Sequence, residues 1–232
     1  MKKYFLLIMT ALVLLSLVAC GKTADADISG RYETYVDLRA SIVEAFDKGT
    51  SISGLTSGIS LGDYLGEAGL TVVFELGEDG SYRRYVDEKS VEKTLATVHE
   101  AAKPYLDDYM LKTFEEMFSS YGAAVEGREA IEELLGCSIE ESFTAAIGVD
   151  TETFIARLVR ESLSFDGVYQ AVNAEGRYKA ADGKLHVSGS AEAEPAEDAY
   201  EVYKINNDSL TVTEGVNVRP YLSYPFDMVK VN

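Results

Sequence analysis

Hydrophobic and polar residues alternate with a period of two in two parts of the chain, and this alternation is the pattern of half-buried β-strands. The first part contains residues 30–38, 70–76 and 81–86, which are rich in Tyr and Val. Between the last two runs, residues 77–80 have the sequence GEDG, which supplies the turn chemistry of a β-hairpin. The first part therefore predicts one strand followed by a hairpin.

The second alternating part begins at residue 165 and extends to the C-terminus. Asp182-Gly183 predicts a tight hairpin turn, and the Asn-Asn-Asp run at 206–208 predicts another. Both parts together predict about nine strands. In the second part we expect strands at residues 167–172, 176–181, 184–188, 200–205, 209–213 and 226–231.

Between these two parts, apolar residues recur every three or four positions, which is the spacing of one face of an α-helix. Val91, Leu95 and Val98 begin this pattern. Pro104 then ends or kinks the first helix, or opens the next one. The stretch from about 87 to 164 is therefore predicted to be a cluster of helices inserted between the strands.

Residues of the helix-capping type divide this helical stretch into segments. Gly122 is placed to end a helix. Ser138 with Glu141 forms a capping-box pattern, and Asp150 is placed to begin the helix that follows. A separate short helix is predicted at 39–48, where apolar residues also recur at helical spacing.

The N-terminus carries a short apolar run behind a positive charge. Lys2 and Lys3 precede an apolar stretch that extends from Tyr4 to Val18. About 20 apolar residues are needed to span a ~30 Å hydrocarbon core, so this stretch is too short for a membrane-spanning helix. A positive start, a short apolar core and small residues after it predict a secretory signal peptide over residues 1–19.

The end of this segment is more specific. Residues 17–20, Leu-Val-Ala-Cys, resemble the lipobox of bacterial lipoprotein precursors. The resemblance implies that Cys20 receives a diacylglyceryl group through its sulfur and becomes the N-terminus after cleavage. The protein is then exported and anchored through Cys20 to the outer face of the bacterial cytoplasmic membrane, or to another envelope membrane. The alternative is an ordinary signal peptide with a chance cysteine.

Residues 20–28 are predicted to be the lipidated cysteine and a tether, because residues 21–27 are small, polar and without periodicity. The seven residues 21–27 reach about 24 Å at most, so the domain lies close to the membrane.

The predicted strands support a resemblance at the level of the fold. Strand starts of the form G-x-Y, a D-G hairpin, a late L-T-V strand and an apolar terminal strand resemble lipocalin-like barrels of small bacterial lipoproteins. The resemblance covers roughly residues 28–86 and 165–232. It implies an α+β protein in which one domain, 29–232, is an antiparallel barrel or strongly curved sheet with the helices inserted at about 87–164. The alternative is a half-open sheet with the helices packed on one face.

Composition and charge exclude some partners. The chain is 47% hydrophobic and 26% charged, which is typical of a globular protein. Its net charge is −18, and it becomes −20 once residues 1–19, with their two lysines, are removed. Such acidity argues against a nucleic-acid partner and against a body that lies on anionic lipid. With Cys20 lipidated, Cys137 is the remaining thiol, and we expect it to be buried and inert.

No motif in the sequence predicts catalysis. The two histidines, His99 and His186, have no neighbouring ligands at metal-binding spacing, and no nucleophile elbow or phosphate-binding loop is present. Adjacent carboxylates on a helix point about 100° apart, so the acidic pairs are expected to be solvated. These pairs are Asp107-Asp108, Glu115-Glu116, Glu132-Glu133 and Glu140-Glu141. We therefore expect no enzyme activity, no cofactor and no catalytic, cofactor-binding or metal-ligating residues.

Three functions remain open. Two of them are binding roles at a membrane surface. The first is a module that holds a small ligand at the barrel mouth, and the second is an interaction lipoprotein that contacts a cell-envelope protein. The 15 tyrosines suit a binding surface and are also common in strands. The third function is a hydrolase whose two acids are remote in sequence.

Overall fold

The computed structural model describes residues 27–50, 58–218 and 222–231. Eight antiparallel strands form a closed barrel in which each strand pairs with its neighbours in sequence, and β1 pairs with β8 to close it. The strands are Gly30–Asp37 (β1), Gly69–Leu76 (β2), Ser81–Val86 (β3), Ala174–Ala181 (β4), Lys184–Val187 (β5), Tyr200–Asn206 (β6), Ser209–Val216 (β7) and Phe226–Val231 (β8).

The connections give the barrel two different ends. Tight turns at 77–80, 182–183 and 207–208 join strands at one end, which we call the hairpin end. Asp182 and Asn207 have φ near 52° and Gly80 has φ of 80°, so these turns use residues that tolerate the left-handed region. The four longer connections lie at the other end, which we call the mouth.

Six α-helices within the described residues are attached at the mouth and form what we call the helical cap. The first lies between β1 and β2, followed by a 3₁₀ turn at Leu61–Asp63, and the other five lie between β3 and β4. The helices are Arg39–Thr50 (α1), Glu88–Ser120 (α2), Arg128–Leu135 (α3), Ile139–Ile147 (α4), Thr151–Ser162 (α5) and Asp166–Val172 (α6).

The molecule contains two apolar cores. The barrel core consists of inward-facing strand residues, such as Phe74, Leu185 and Met228, which are all 1% exposed or less. The helical core joins α1 to α5 around residues such as Phe46, Tyr105, Ile131 and Ile139, which are equally buried. Two half-buried residues, Leu38 after β1 and Leu95 on α2, pack against both cores and connect them.

The prediction of an antiparallel barrel with inserted helices is confirmed, and the half-open alternative is wrong. The strand predicted at 167–172 is also wrong, because these residues form helix α6. Val168, Tyr169 and Val172 lie at helical spacing and pack on the barrel core. This packing overrides the strand preference of the β-branched and aromatic residues. The barrel therefore has eight strands, and the helices extend to residue 172.

Details of the helix ends agree with the sequence. Ser138 and Glu141 form the predicted capping box, and the Asp150 carboxylate accepts a hydrogen bond from the Thr153 amide at the start of α5.

Helix α2 continues through Pro104, so the proline neither ends it nor opens a new one. Cys137 is a free thiol, but it is only half-buried.

Candidate functional site

An apolar pocket lies at the barrel mouth, between the barrel wall and helix α6. Its volume is about 230 Å³. The strand side is formed by the mouth ends of β1 and β2, and α6 covers it together with a residue of the β7–β8 connection. The described lining residues are all small or apolar: Val36, Leu38, Leu70, Val72, Gly167, Val168, Ala171, Val172 and Leu222.

Beside this pocket, two polar side chains meet in the interior of the barrel. Glu201 on β6 is only 5% exposed. The Tyr224 hydroxyl, in the β7–β8 connection, donates a hydrogen bond of 2.9 Å to its Oε1. The Tyr224 ring packs against Phe226, with centroids 5.5 Å apart, so the hydroxyl is held in place by an aromatic contact. The pair connects a strand of the barrel wall to the connection that carries Leu222.

Burial changes the acidity of this pair. It raises the pKa of the Glu201 carboxyl above its ordinary value, and the Tyr224 hydrogen bond and the Arg84 charge only partly oppose this effect. Burial and the neighbouring Glu201 charge also raise the pKa of Tyr224. Tyr82, on β3, is buried as well, and the loss of solvation raises its pKa to about 12. At neutral pH both tyrosines therefore remain hydrogen-bond donors.

Arg84 joins the polar pair to the pocket. It projects from β3 and is half-buried, and its charge acts on both Glu201 and Tyr224. Its Nε donates a 2.8 Å hydrogen bond to the carbonyl of Val172, which lines the pocket. The adjacent Asn173 accepts a hydrogen bond from the Val86 amide through Oδ1. The C-terminus of α6 is thus fixed to β3 by two polar contacts.

This arrangement is suited to binding. An apolar pocket bordered by a few fixed polar groups is the usual form of a small-ligand site. Within the described residues, no set of three or more His, Cys, Asp or Glu side chains is arranged to hold a metal ion.

The residues that the sequence singled out lie elsewhere. Cys20, the predicted lipidation site, and the predicted signal peptide at 1–19 lie outside the described residues. His99 on α2 has its Nε2 3.3 Å from Glu152 of α5, and the His186 Nδ1 lies 3.0 Å from the Ala196 carbonyl. Neither histidine lines the mouth pocket.

Several residues of the acidic pairs are ion-paired rather than only solvated. Asp107 and Glu140 bind the guanidinium of Arg128, and Glu132 lies 3.3 Å from it. Asp108 instead accepts a 2.5 Å hydrogen bond from the Tyr64 hydroxyl. These carboxylates therefore join helices of the cap, and they do not converge on a cleft.

Sequence reasoning missed Glu201 and Tyr224. In the run 200–205, with the sequence YEVYKI, each alternating set contains two apolar or aromatic residues and one charged residue. The pattern therefore did not show which set faces inward. Gly167 to Val172 were assigned to a strand, so the role of α6 in the pocket was missed too. The 3.6-residue spacing of Val168 and Val172 was the available clue.

No helix among residues 27–50, 58–218 and 222–231 has both the length and the apolar character needed to cross a membrane.

Comparisons with known proteins gave no match to any protein-family model, curated protein or solved structure.

Proposed function

We propose that the chain is an exported lipoprotein, anchored through Cys20, whose barrel mouth binds a small apolar ligand. The observation that carries the ligand proposal is the pocket of about 230 Å³ between β1, β2 and α6. No charged side chain is among its described lining residues. Arg84 contacts one wall through its hydrogen bond to the Val172 carbonyl, and Glu201 lies near enough to Arg84 to interact with its charge. The pocket therefore suits an apolar group, and the polar residues fix its walls.

The volume limits the size of the ligand. An apolar protein cavity of about 150 Å³ holds benzene, so about 230 Å³ accommodates roughly half as many atoms again. Pockets for drug-sized molecules occupy about 300–1,000 Å³. The ligand is thus a compact aliphatic or aromatic molecule of about nine non-hydrogen atoms, or an apolar group of that size on a larger molecule.

The anchor proposal rests on the lipobox resemblance of residues 17–20. Two acyl chains give stable membrane attachment, whereas one chain binds only marginally. The closed up-and-down barrel of eight strands is also the geometry of lipocalins, and this supports the proposed resemblance to lipocalin-like lipoprotein domains.

A second candidate function is contact with a cell-envelope protein without a small ligand. The observation that favours it is the exposure of three large apolar residues on the helical cap. Tyr121 is 82% exposed, Leu134 56% and Ile147 46%. Exposed apolar residues mark an interaction surface where they form one patch. Leu134 lies on α3, Ile147 ends α4, and Tyr121 directly follows α2.

The ligand proposal is tested by titrating the protein with indole or 1-hexanol and recording the NMR spectra of its methyl groups. We expect saturable shifts at Val36, Leu70 and Val168, which line the pocket. Ala171→Leu fills the pocket and is expected to abolish these shifts. Gln170→Leu places the same side chain on the same helix at an exposed position outside the described lining, and it is the matched control.

Native mass spectrometry of the full-length protein, extracted from its host in mild detergent, tests for a natural ligand. An added mass that disappears on denaturation and is absent from the Ala171→Leu variant supports the proposal. Unsaturable shifts in the titration, or shifts that Ala171→Leu leaves unchanged, would contradict it.

The anchor proposal has its own test. We expect Cys20→Ala to release the protein from the membrane fraction or to leave it unprocessed. Mass spectrometry of the wild-type N-terminal peptide is expected to show Cys20 as the first residue, with a diacylglyceryl group on its sulfur. A variant that is processed and still remains attached to the membrane would refute the assignment.

A further inference from the structure

The chain enters the barrel at the hairpin end, and this point of entry is fixed by contacts. Ile28 is 3% exposed and belongs to the barrel core. The Tyr32 hydroxyl donates a 3.0 Å hydrogen bond to the Ile28 carbonyl, and the Lys230 ammonium donates a 2.8 Å bond to the Ser29 carbonyl. Residues preceding Ile28 therefore leave the domain beside the hairpin turns, at the end opposite the mouth.

The distance from the anchor to this point is short. Seven residues, 21–27, separate Cys20 from Ile28, and the eight residue-to-residue steps between the two span at most about 29 Å when fully extended. The hairpin end is therefore confined to within about 29 Å of the lipid headgroups to which Cys20 is attached.

The helical cap opposes the reverse orientation, because it covers the mouth of the barrel. Val91 and Leu95 of α2 contact the barrel core, and α2 contributes to the helical core from Val98 onward. Strands of eight residues tilted in a barrel separate the hairpin end from the mouth by about 20 Å, and one layer of helix adds about 10 Å. A cap that touched the membrane would therefore require the tether to be stretched to its full length.

Charge favours the same orientation. Residues 88–172 of the cap contain 17 acidic and 7 basic residues, a net charge of −10. The eight strands and three hairpin turns contain 11 acidic and 8 basic residues, a net charge of −3. Anionic lipid therefore repels the helices of the cap more strongly than it repels the barrel as a whole.

From these two independent observations we infer that the hairpin end of the barrel faces the anchoring membrane and that the pocket at the mouth faces away from it. The inference rests on the proposed anchor at Cys20. It deepens the proposed function by naming the source of the ligand. The ligand is taken from the aqueous phase outside the membrane, and it is not extracted from the bilayer that holds the anchor.

Site-specific fluorescence quenching tests this orientation. The background is the full-length protein with Cys137→Ser, processed in its host so that Cys20 is lipidated. Single cysteines are placed at exposed positions of the hairpin turns, Glu78→Cys and Asp208→Cys, or of the cap, Glu126→Cys and Glu133→Cys. Each labelled protein is reconstituted into phosphatidylcholine vesicles that contain a lipid with a spin-labelled headgroup.

We expect strong quenching of the labels at 78 and 208, and none above background at 126 and 133. Equal quenching at both ends, or stronger quenching at the cap, would overturn the inference while leaving the anchor intact. Failure of the protein to float with the vesicles would overturn the anchor and the orientation together. The methyl-group titration of the pocket does not depend on the anchor, so it distinguishes that failure from failure of ligand binding.

Discussion

The barrel and the helical cap bury apolar side chains equally well, but different interactions hold them together. Every strand of the barrel is hydrogen-bonded to a neighbour on both sides, because β1 pairs with β8. The cap contains the short helices α3, α4 and α5, of 8, 9 and 12 residues. Isolated helices shorter than about 12–15 residues are marginal in water. Their stability in the cap therefore comes from packing, capping and ion pairs.

Within the described part of the cap, no backbone hydrogen-bond ladder joins the helices, and the side chain of one arginine joins three of them. Arg128 at the start of α3 contacts Asp107 of α2, Glu132 of its own helix and Glu140 of α4. Glu132 in turn accepts a hydrogen bond from the Ile139 amide at the start of α4. Three helices are thus joined by side chains, whereas three neighbouring strands are joined by backbone. We therefore expect the removal of a charged side chain at the surface to lower the free energy of unfolding more in the cap than on the barrel.

The largest expected effects come from the two cores. Phe74 in the barrel and Ile131 in the cap are both fully buried. We expect Phe74→Ala to lower the free energy of unfolding by about 3–5 kcal/mol and Ile131→Ala by about 2–5 kcal/mol, because both leave cavities. In hydrogen exchange, Phe74→Ala is expected to weaken protection in barrel and cap together, and Ile131→Ala mainly in α3 to α5.

The comparison fails if both variants reduce protection uniformly over the whole chain. In that case the barrel and the cap unfold as one cooperative unit, and the closed set of hydrogen bonds between the strands does not let the barrel stay folded when the cap unfolds. Urea unfolding followed by far-UV circular dichroism supplies the matching free energies.

The buried pair Glu201 and Tyr224 is expected to have the next largest effect, and its effect depends on pH. Because burial raises the Glu201 pKa above 4.5, the folded protein holds this proton more tightly than the unfolded chain. The free energy of unfolding therefore falls as the pH rises from about 4.5 through the raised pKa. Glu201→Gln removes this loss, so its stability relative to the wild type is expected to increase between pH 4 and pH 7 in urea unfolding.

Tyr224→Phe is the companion variant. It removes a hydrogen bond to a carboxylate at pH 7 and is expected to cost about 1.5–3 kcal/mol there. At pH 4 the carboxyl is protonated, and the cost falls to about 0.5–1.5 kcal/mol. If Glu201→Gln has the same stability relative to wild type at both pH values, Glu201 is not the titrating group.

Much of the barrel could be predicted from sequence, because hairpins are specified locally. Asp182-Gly183 and the GEDG turn identify their strands within a few residues, and antiparallel neighbours follow from short turns. Closure could not be derived in this way, since the pairing of β1 with β8 joins residues about 200 positions apart. Helix α6 was missed because its local strand preference is overridden by packing on the barrel core.

The candidate site was less predictable than the fold. The pocket combines strand ends, a helix and Leu222, which the chain brings together only through closure of the barrel. The partners Glu201 and Tyr224 are 23 residues apart, and neither belongs to a motif. A local pattern carries no information about such a contact, whereas the capping box of Ser138 and Glu141 lies within one helical turn and was predictable.

Arg128→Met is expected to lower the free energy of unfolding by about 1 kcal/mol, which is a modest value because the side chain is 34% exposed and screened by solvent. The effect is expected to shrink in 1 M salt, where the screening length is about 3 Å. Arg157→Met is the matched control: among the described residues Arg157 pairs with Glu161 alone, on the same exposed helix face, which is worth about 0.3–0.5 kcal/mol. Equal losses in the two variants would show that Arg128 does not act as a connection between helices.

The smallest effect is expected for Arg83 on the outer face of the barrel, although it also has two acidic partners. It lies across from Glu75 of β2 and Glu175 of β4, at 3.9 and 3.8 Å, and its side chain is 55% exposed. The backbone ladder already holds β2, β3 and β4 together, so Arg83→Gln is expected to cost less than about 0.5 kcal/mol. Urea unfolding of Arg83→Gln and Arg128→Met in the same buffer measures the difference directly. A loss at Arg83 as large as that at Arg128 would mean that charges on a strand face matter as much as charges between helices, and the contrast between barrel and cap would then lie in their cores alone.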